Sequence, residues 1–215
     1  MGAVDQRRFG FESMQDVPLT LRDGSRATAR QMRPEDAERL RAGFERLSVD
    51  SRYRRFLSAT PRLSDAQVRY LTRVDHHDHE ALIAVADGEV GVGVARYARW
   101  PEDTAAADVA VTVADDWQGR GLGTALLALL ADRAREEGIP RFTALMLATN
   151  SRMLQLFKDL GPVRTLRMSE GTAEIELTLP QSGSGAHLAE LLRGSADGRY
   201  QVRPRALSQE SGGAA

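Results

Sequence analysis

The chain has 215 residues, 42% of them hydrophobic and 27% charged, with a formal net charge of −1 and no cysteine. That length supports one α/β core with some tail, and the near-neutral charge provides no general attraction to nucleic acid or an anionic membrane. Without cysteine, disulfides, thiolate metal sites and a cysteine acyl-enzyme are excluded together, so any group transfer is expected to be direct.

Residues 1–17 are expected to form a flexible arm. Asp5, Arg7, Arg8 and Glu12 leave no room there for the apolar stretch of a signal sequence, and no apolar run reaches membrane-spanning length, which points to a cytoplasmic protein. Leu19 to Arg22 and Ala27 to Met32, around Asp23-Gly24, predict a short hairpin. Pro34 then opens a helix with Ala37, Leu40, Phe44 and Leu47 on one face, and Glu35 and Asp36 at the end where the helix dipole favours carboxylates. A second helical piece spans Ser51 to Leu57. A third follows Ser64, an N-cap with Gln67 three residues on, and reaches Arg73.

Ala81 to Ala86 and Val90 to Tyr97, joined by Asp87-Gly88-Glu89, and then Asp108 to Val113 read as antiparallel strands. After a glycine-rich loop, a helix from Gly121 to Glu137 carries Leu122, Ala125, Leu126, Leu129, Leu130 and Ala134 on one broad face and ends at Gly138. Arg141 to Leu147 returns as a strand, and a strand, loop, helix, strand unit requires a parallel pair. Asn150 to Leu160 is a short helix closed by Gly161-Pro162, and Val163 to Met168 with Ala173 to Leu179 forms a final hairpin. Beyond Pro180, Ser, Gly and Ala predominate, which predicts a flexible tail over residues 180–215 with one short helix from His187 to Arg193.

The chemistry concentrates in Gln118, Gly119, Arg120, Gly121, Leu122, Gly123 and Thr124. Three alternating glycines leave the backbone uncovered, so successive N–H groups can close on an anionic oxygen at the helix start, as a diphosphate cradle does. The spacing matches neither a P-loop, which needs Lys and then Ser or Thr after its last glycine, nor a dinucleotide fingerprint. His76, His77 and His79 alternate with Asp75, Asp78 and Glu80, yet adjacent ligands point to opposite sides and no second cluster follows, so no metal is expected. Arg52, Arg54 and Arg55 around Tyr53 make a basic turn suited to an acidic protein surface or to solvent. Asp115 and Asp116 are candidates to draw in a cationic acceptor.

This order of elements, with a Gln-x-x-Gly-x-Gly loop before the long helix and an Asn-led helix after the next strand, resembles the GNAT superfamily of acyl-CoA-dependent N-acetyltransferases over about residues 18–179. Gln118 to Gly123 fits the acyl-CoA signature, and Asn150, Met153, Phe157, Leu160 and Gly161 fit the following helix. Arg33-Pro34-Glu35-Asp36, Ser51-Arg52-Tyr53, Val74-Asp75-His76-His77 and Arg141-Phe142-Thr143-Ala144 look like the bacterial Pat-type protein lysine acetyltransferases. The resemblance implies an α/β fold: a mixed central sheet with antiparallel N-terminal strands, a splayed parallel pair forming the CoA cleft, and flanking helices. It implies acetyl-CoA as acyl donor, with the pantetheine arm on Ala110, Val111, Thr112 and Val113 and the diphosphate on Gln118 to Thr124. Asn150, Met153 and Phe157 complete that side, while His76 and His77 lie toward the acceptor.

A protein lysine is the implied acceptor, an acyl-CoA synthetase being the implied kind of target. The alternatives are a small-molecule amine and a non-catalytic acyl-CoA sensor. Pat-type proteins often carry a further regulatory or synthetase-like domain, whereas a stand-alone catalytic domain is expected here; oligomeric state is not legible.

Amide formation needs a base, because a lysine amine of pKa near 10.4 is neutral in only about one molecule in 2500 at pH 7, a cost of roughly 4.6 kcal/mol. The resemblance places that base at the start of the strand before the loop, where the group has Glu and this chain has Asp108. Asp is shorter by one methylene, about 1.5 Å, a gap that one water can bridge. The Tyr that many members use to protonate the leaving thiolate is here Phe157; a thiol of pKa near 8.5 leaves without it. A strand N–H near Val111 is the expected oxyanion donor.

Overall fold

The computed structural model describes residues 14–86 and 90–180. The turn Asp87-Gly88-Glu89, residues 1–13 of the N-terminal arm and the tail beyond Pro180 with its helix His187 to Arg193 lie outside the described residues. Strands β1 (Val17–Thr20), β2 (Arg26–Gln31), β3 (His79–Ala86), β4 (Val90–Arg99), β5 (Ala106–Val113), β6 (Arg141–Leu147), β7 (Val163–Ser169) and β8 (Thr172–Thr178) form one sheet. Its order is β1-β2-β3-β4-β5-β6-β8-β7, antiparallel throughout except for β5 beside β6.

The expected strands start late in two places. β3 begins at His79 because His79 and Glu80 pair with Ala98 and Tyr97, and β5 begins at Ala106 because Ala106 and Ala107 pair with Arg141 and Phe142. Both extensions depend on partners distant in the chain, which a local window does not contain. The first hairpin likewise pairs Val17–Thr20 rather than Leu19–Arg22, setting Leu19 opposite Ala27.

β3 and β4 are buried on both faces, which explains their nearly continuous apolar runs. Helix α4 (Leu122–Glu136) covers one face, its Leu126, Leu127 and Leu130 meeting Leu82, Tyr97, Val109 and Phe142 in the main core. Each such leucine contributes about 1.5–3 kcal/mol by leaving water. Helices α1 (Ala37–Glu45), α2 (Val49–Phe56) and α3 (Asp65–Thr72) and their connections form a second cluster, with Phe44 of α1, Val68 of α3 and the connecting Leu47 and Leu63 buried and Phe56 of α2 packed against them, while Met32, Ala81 and Ile83 lie under Leu40. Helix α5 (Ser151–Leu160) packs beside α4. The capping box read at Ser64 and Gln67 is present, with Ser64 Oγ accepting the Gln67 N–H at 3.2 Å.

Pro34 opens a 3₁₀ turn, Pro34–Asp36, and α1 starts only at Ala37. Asp36 does more than complement a dipole. Fully buried, it accepts both Arg30 guanidinium nitrogens at 2.7 Å and the Arg33 N–H at 2.8 Å, tying β2 to the entry of α1. Burial alone would raise its pKa; those hydrogen bonds overcome that and hold it below the usual aspartate value.

Candidate active site

β5 and β6 are paired only at Ala106–Arg141, Ala107–Phe142 and Asp108–Thr143. Past Asp108, β5 stays with β4 as far as Val113 while β6 stays with β8 as far as Leu147, so the two strands part and Asp108 stands at the fork. The opening is a cleft of about 1280 Å³, with Ala110, Val111, Thr112 and Val113 along one wall and Ala144, Leu145 and Met146 along the other. Beyond the fork β5 has no partner on that edge among the described residues, which exposes strand donors and acceptors to whatever enters.

The glycine loop closes one end of the cleft through Gln118, Gly119, Gly121, Gly123 and Thr124. Gly119 and Gly121 take left-handed φ values of +77° and +92°, which cost a residue with a side chain about 1–2 kcal/mol. That path turns the chain into α4 and leaves the first N–H groups of the helix without intrahelical acceptors, beside the positive end of its dipole. We expect Gly121→Ala to lower stability by about 1–2 kcal/mol and weaken binding of the acyl-CoA implied by the resemblance about tenfold, measured by urea unfolding and titration calorimetry; unchanged affinity would show that the loop conformation does not matter for the ligand.

Gln118 acts as a strut. Its Nε2 donates to Val113 O at 3.1 Å and Asp115 Oδ1 at 2.9 Å, and its Oε1 accepts from Arg152 at 3.2 Å. Asn150 caps α5, its Oδ1 accepting the Met153 N–H at 3.2 Å, while both residues line the cleft. Three residues expected at the ligand do not line it. Arg120 pairs with Asp23 at 2.9 Å and lies over Trp117, Leu122 is buried in the core, and Phe157, on the inner face of α5, is 0% exposed.

The basic turn of α2 separates into three. Arg52 folds back over Phe44, 4.7 Å from the ring centroid, and donates to the carbonyls of Glu45, Leu47 and Pro61. Arg54 pairs with Asp50 at 2.8 Å, and Arg55 enters the cleft wall. Asp115 is committed to α2: it accepts from Ser48 N at 2.6 Å and from the Ser51 hydroxyl, and Asp116 pairs with Arg46 at 2.6 Å. Burial raises the Asp115 carboxyl, but the hydrogen bonds from Ser51, Ser48 and Gln118 outweigh it and keep its pKa low.

Asp108 differs from these carboxylates. It accepts no hydrogen bond from the described residues, and although solvent reaches it through the cleft, the surrounding protein raises its pKa. Arg55 and Arg96 oppose that rise from a distance, and Glu174 adds to it. Arg96, on β4 opposite Ala110, is buried with its guanidinium over Tyr70 and against His79 Nε2. His79 is pushed down to about 4 by burial and by Arg96, so it is neutral at pH 7.

His76 and His77 lie elsewhere. His76 Nδ1 is 2.6 Å from Glu80, His77 Nδ1 contacts Glu137 just past the C-terminal end of α4, and neither lines the cleft. A helix of 15 residues puts that end about 22 Å from the glycine loop. Glu80 anchors the cluster: 0% exposed, it also receives Gln31 at 2.9 Å, Ala81 N at 2.9 Å and Arg133 at 3.4 Å. Of the charged groups acting on Asp108, Arg55 was read from sequence only as part of a basic turn, and Arg96 was not read at all. Arg96 carried a signal, as the one charge in Val90 to Tyr97, a run otherwise apolar enough to be buried on both faces.

Residues 49–161 match the acetyltransferase (GNAT) family model. The chain is 33% identical over 195 residues to acetyltransferase Pat of Mycolicibacterium smegmatis, covering 90% of this chain but only 57% of that protein's length. It is 37% identical over 145 residues to acetyltransferase PA5475 of Pseudomonas aeruginosa, covering 66% of this chain and 77% of that one. The crystal structure of the GNAT domain of S. lividans PAT superposes with a TM-score of 0.70 at 37% identity, over 76% of this chain and 97% of that one.

Proposed function

This chain belongs to the acetyltransferase (GNAT) family, and from that premise we propose that it transfers the acetyl group of acetyl-CoA directly to the amine of a protein lysine. The observation that carries this reading is the fork at Asp108, which places a carboxylate without a committed partner where the strands open into the acyl-CoA cleft. Acetyl-CoA is the donor: the N–H groups at the start of α4 receive the diphosphate, and the unpaired edge of β5 from Ala110 to Val113 receives the pantetheine arm.

Asp108 removes the amine proton, directly or through one water, and a raised pKa brings it nearer to that of its task. The lysine nitrogen attacks the thioester carbon, a β5 N–H near Val111 takes the oxyanion charge, and the carbon–sulfur bond breaks. The thiolate leaves without a phenol, since Phe157 is sealed in the core. The acceptor assignment is supported by the likeness to Pat and to the S. lividans PAT domain.

The test is labelled acetyl-CoA offered with lysate proteins of the source organism and, separately, with small amines. Label in protein lysines, with matching thiol release, is the expected result. Label in small amines alone overturns the acceptor, and normal acetyl-CoA binding without transfer to any amine makes the protein a sensor.

A further inference from the structure

A cavity of about 70 Å³ lies between α1, α2 and the face of β4 and β5 turned away from α4. Arg55, Phe56, Ala110 and Thr112 line both this cavity and the cleft, so it branches off beside the strand segment assigned above to the pantetheine arm. Its walls are largely apolar, yet Arg96 is part of them.

Arg96 is 6% exposed, and while Tyr70 and His79 occupy one side of its guanidinium, Nη1 has no hydrogen-bond partner among the described residues. Arg55 lies over the Phe56 ring at 4.9 Å and makes no hydrogen bond to the described residues. Among the described residues neither has a carboxylate within ion-pair distance, and Asp108 attracts both only from farther away. The third arginine of the lining, Arg39, is held by Asp36 at 3.2 Å. Burial weakens the hold of both Arg55 and Arg96 on their charge, as expected of guanidinium groups desolvated without a matched anion. A planar guanidinium with free N–H groups is the natural receptor for a carboxylate.

We infer that this cavity is a carboxylate pocket for the acyl group, so that the enzyme accepts acyl-CoA donors ending in a carboxylate, of the succinyl class, in addition to acetyl-CoA. The inference rests on the acyl transfer proposed above. At about 10–15 Å³ for each water-sized group, the cavity has room for the methylene and carboxylate that a succinyl group adds to an acetyl. In the transfer, the lysine nitrogen bonds to the thioester carbon and the carbon–sulfur bond breaks. The lysine ammonium gives up two protons, one to Asp108 or its water before attack and one from the tetrahedral nitrogen to the departing thiolate, and the terminal carboxylate is unchanged.

Calorimetry on the full chain separates this inference from the proposed activity, because it needs no turnover. Succinyl-CoA is expected to bind about tenfold more tightly than butyryl-CoA, its uncharged match in length, with that margin lost in Arg96→Met and in Arg55→Gln and partly kept in Arg96→Lys. Two variants on different elements guard against one that fails to fold. With a lysine peptide, the ratio of kcat/KM for succinyl-CoA to that for acetyl-CoA is expected to fall about tenfold in the same variants; the ratio cancels any change they cause at Asp108. Equal affinity for succinyl-CoA and butyryl-CoA overturns the pocket. A preference instead for peptides with Glu beside the lysine over Gln, abolished by Arg96→Met, assigns the carboxylate to the acceptor and overturns the donor. Failure of all transfer with the affinity margin intact strikes the proposed activity and leaves the pocket standing.

Discussion

Replacing Asp108 by asparagine is expected to lower turnover with acetyl-CoA by about 10²- to 10⁴-fold while leaving the melting temperature unchanged or higher. The first part follows from loss of the proposed proton acceptor at the fork, with acetyl-CoA affinity retained because the glycine loop lies at the far end of the cleft. The second follows from the direction of the pKa shift. A carboxyl whose folded value is raised favours the protonated folded state, so its ionisation weakens the fold as pH rises from the unfolded aspartate value through the raised one. Above both values wild type bears that cost, and asparagine does not. Asp108→Glu, which supplies the longer carboxylate implied by the family resemblance, is expected to stay within about tenfold of wild type. A kcat/KM profile in wild type should fall as pH drops through the raised Asp108 value. Turnover of Asp108→Asn equal to wild type removes Asp108 from the mechanism, and a collapse in melting temperature assigns it a structural role instead.

The largest expected loss of stability comes from Glu80. Its carboxylate is 0% exposed and joins His76, Gln31, the Ala81 N–H and Arg133, so Glu80→Ala strips the His76 ring, the Gln31 amide and the Ala81 N–H of their shared acceptor, while Arg133 keeps Glu136 and Glu137. Breaking a buried pair from one side costs about 3–5 kcal/mol, enough to unfold many domains, and urea unfolding reads it directly. Burial alone would raise the Glu80 pKa, but the His76 hydrogen bond and charge, Gln31 and the Ala81 N–H together lower it. A depressed carboxylate contributes stability above its unfolded pKa and loses it as pH falls through the folded value. Wild type should therefore lose stability below about pH 4.5, and Glu80→Ala should show a shallower acid dependence. Catalysis by Glu80→Gln that folds should be nearly normal, since the cluster lies away from the cleft; a specific loss of turnover there would return His76 and His77 to the acceptor side.

The histidine segment shows what a sequence reading can and cannot reach. Asp75 accepts the N–H groups of His77 and His79 at 2.9 and 2.8 Å, a turn read easily from local composition. Which ring meets which carboxylate depends on Glu137, 60 residues away, and on Arg133 of the same helix. Adjacent histidines with equal local claims thus separate: His76 and His77 seal the far end of α4, while His79 meets Arg96 and Tyr70. Phe157 and Arg120 divide in the same way, matching the family pattern in sequence while their side chains turn into the core and toward Asp23.

The sequence by itself determined the class of fold, the α4 helix with its glycine-led start and the parallel return strand, while Asp108 as candidate base came from the family resemblance. Those properties are local: helical periodicity, the φ freedom of glycine and the spacing of a motif are complete within a dozen or so residues. The tertiary structure alone decided where β5 and β6 part, which side chains line the resulting cleft, and that Arg55 and Arg96 converge beside Asp108 from α2 and β4. Charge and burial at a site are sums over groups brought together by packing, so a carboxyl's pKa or an arginine's missing partner exists only once the chain has folded.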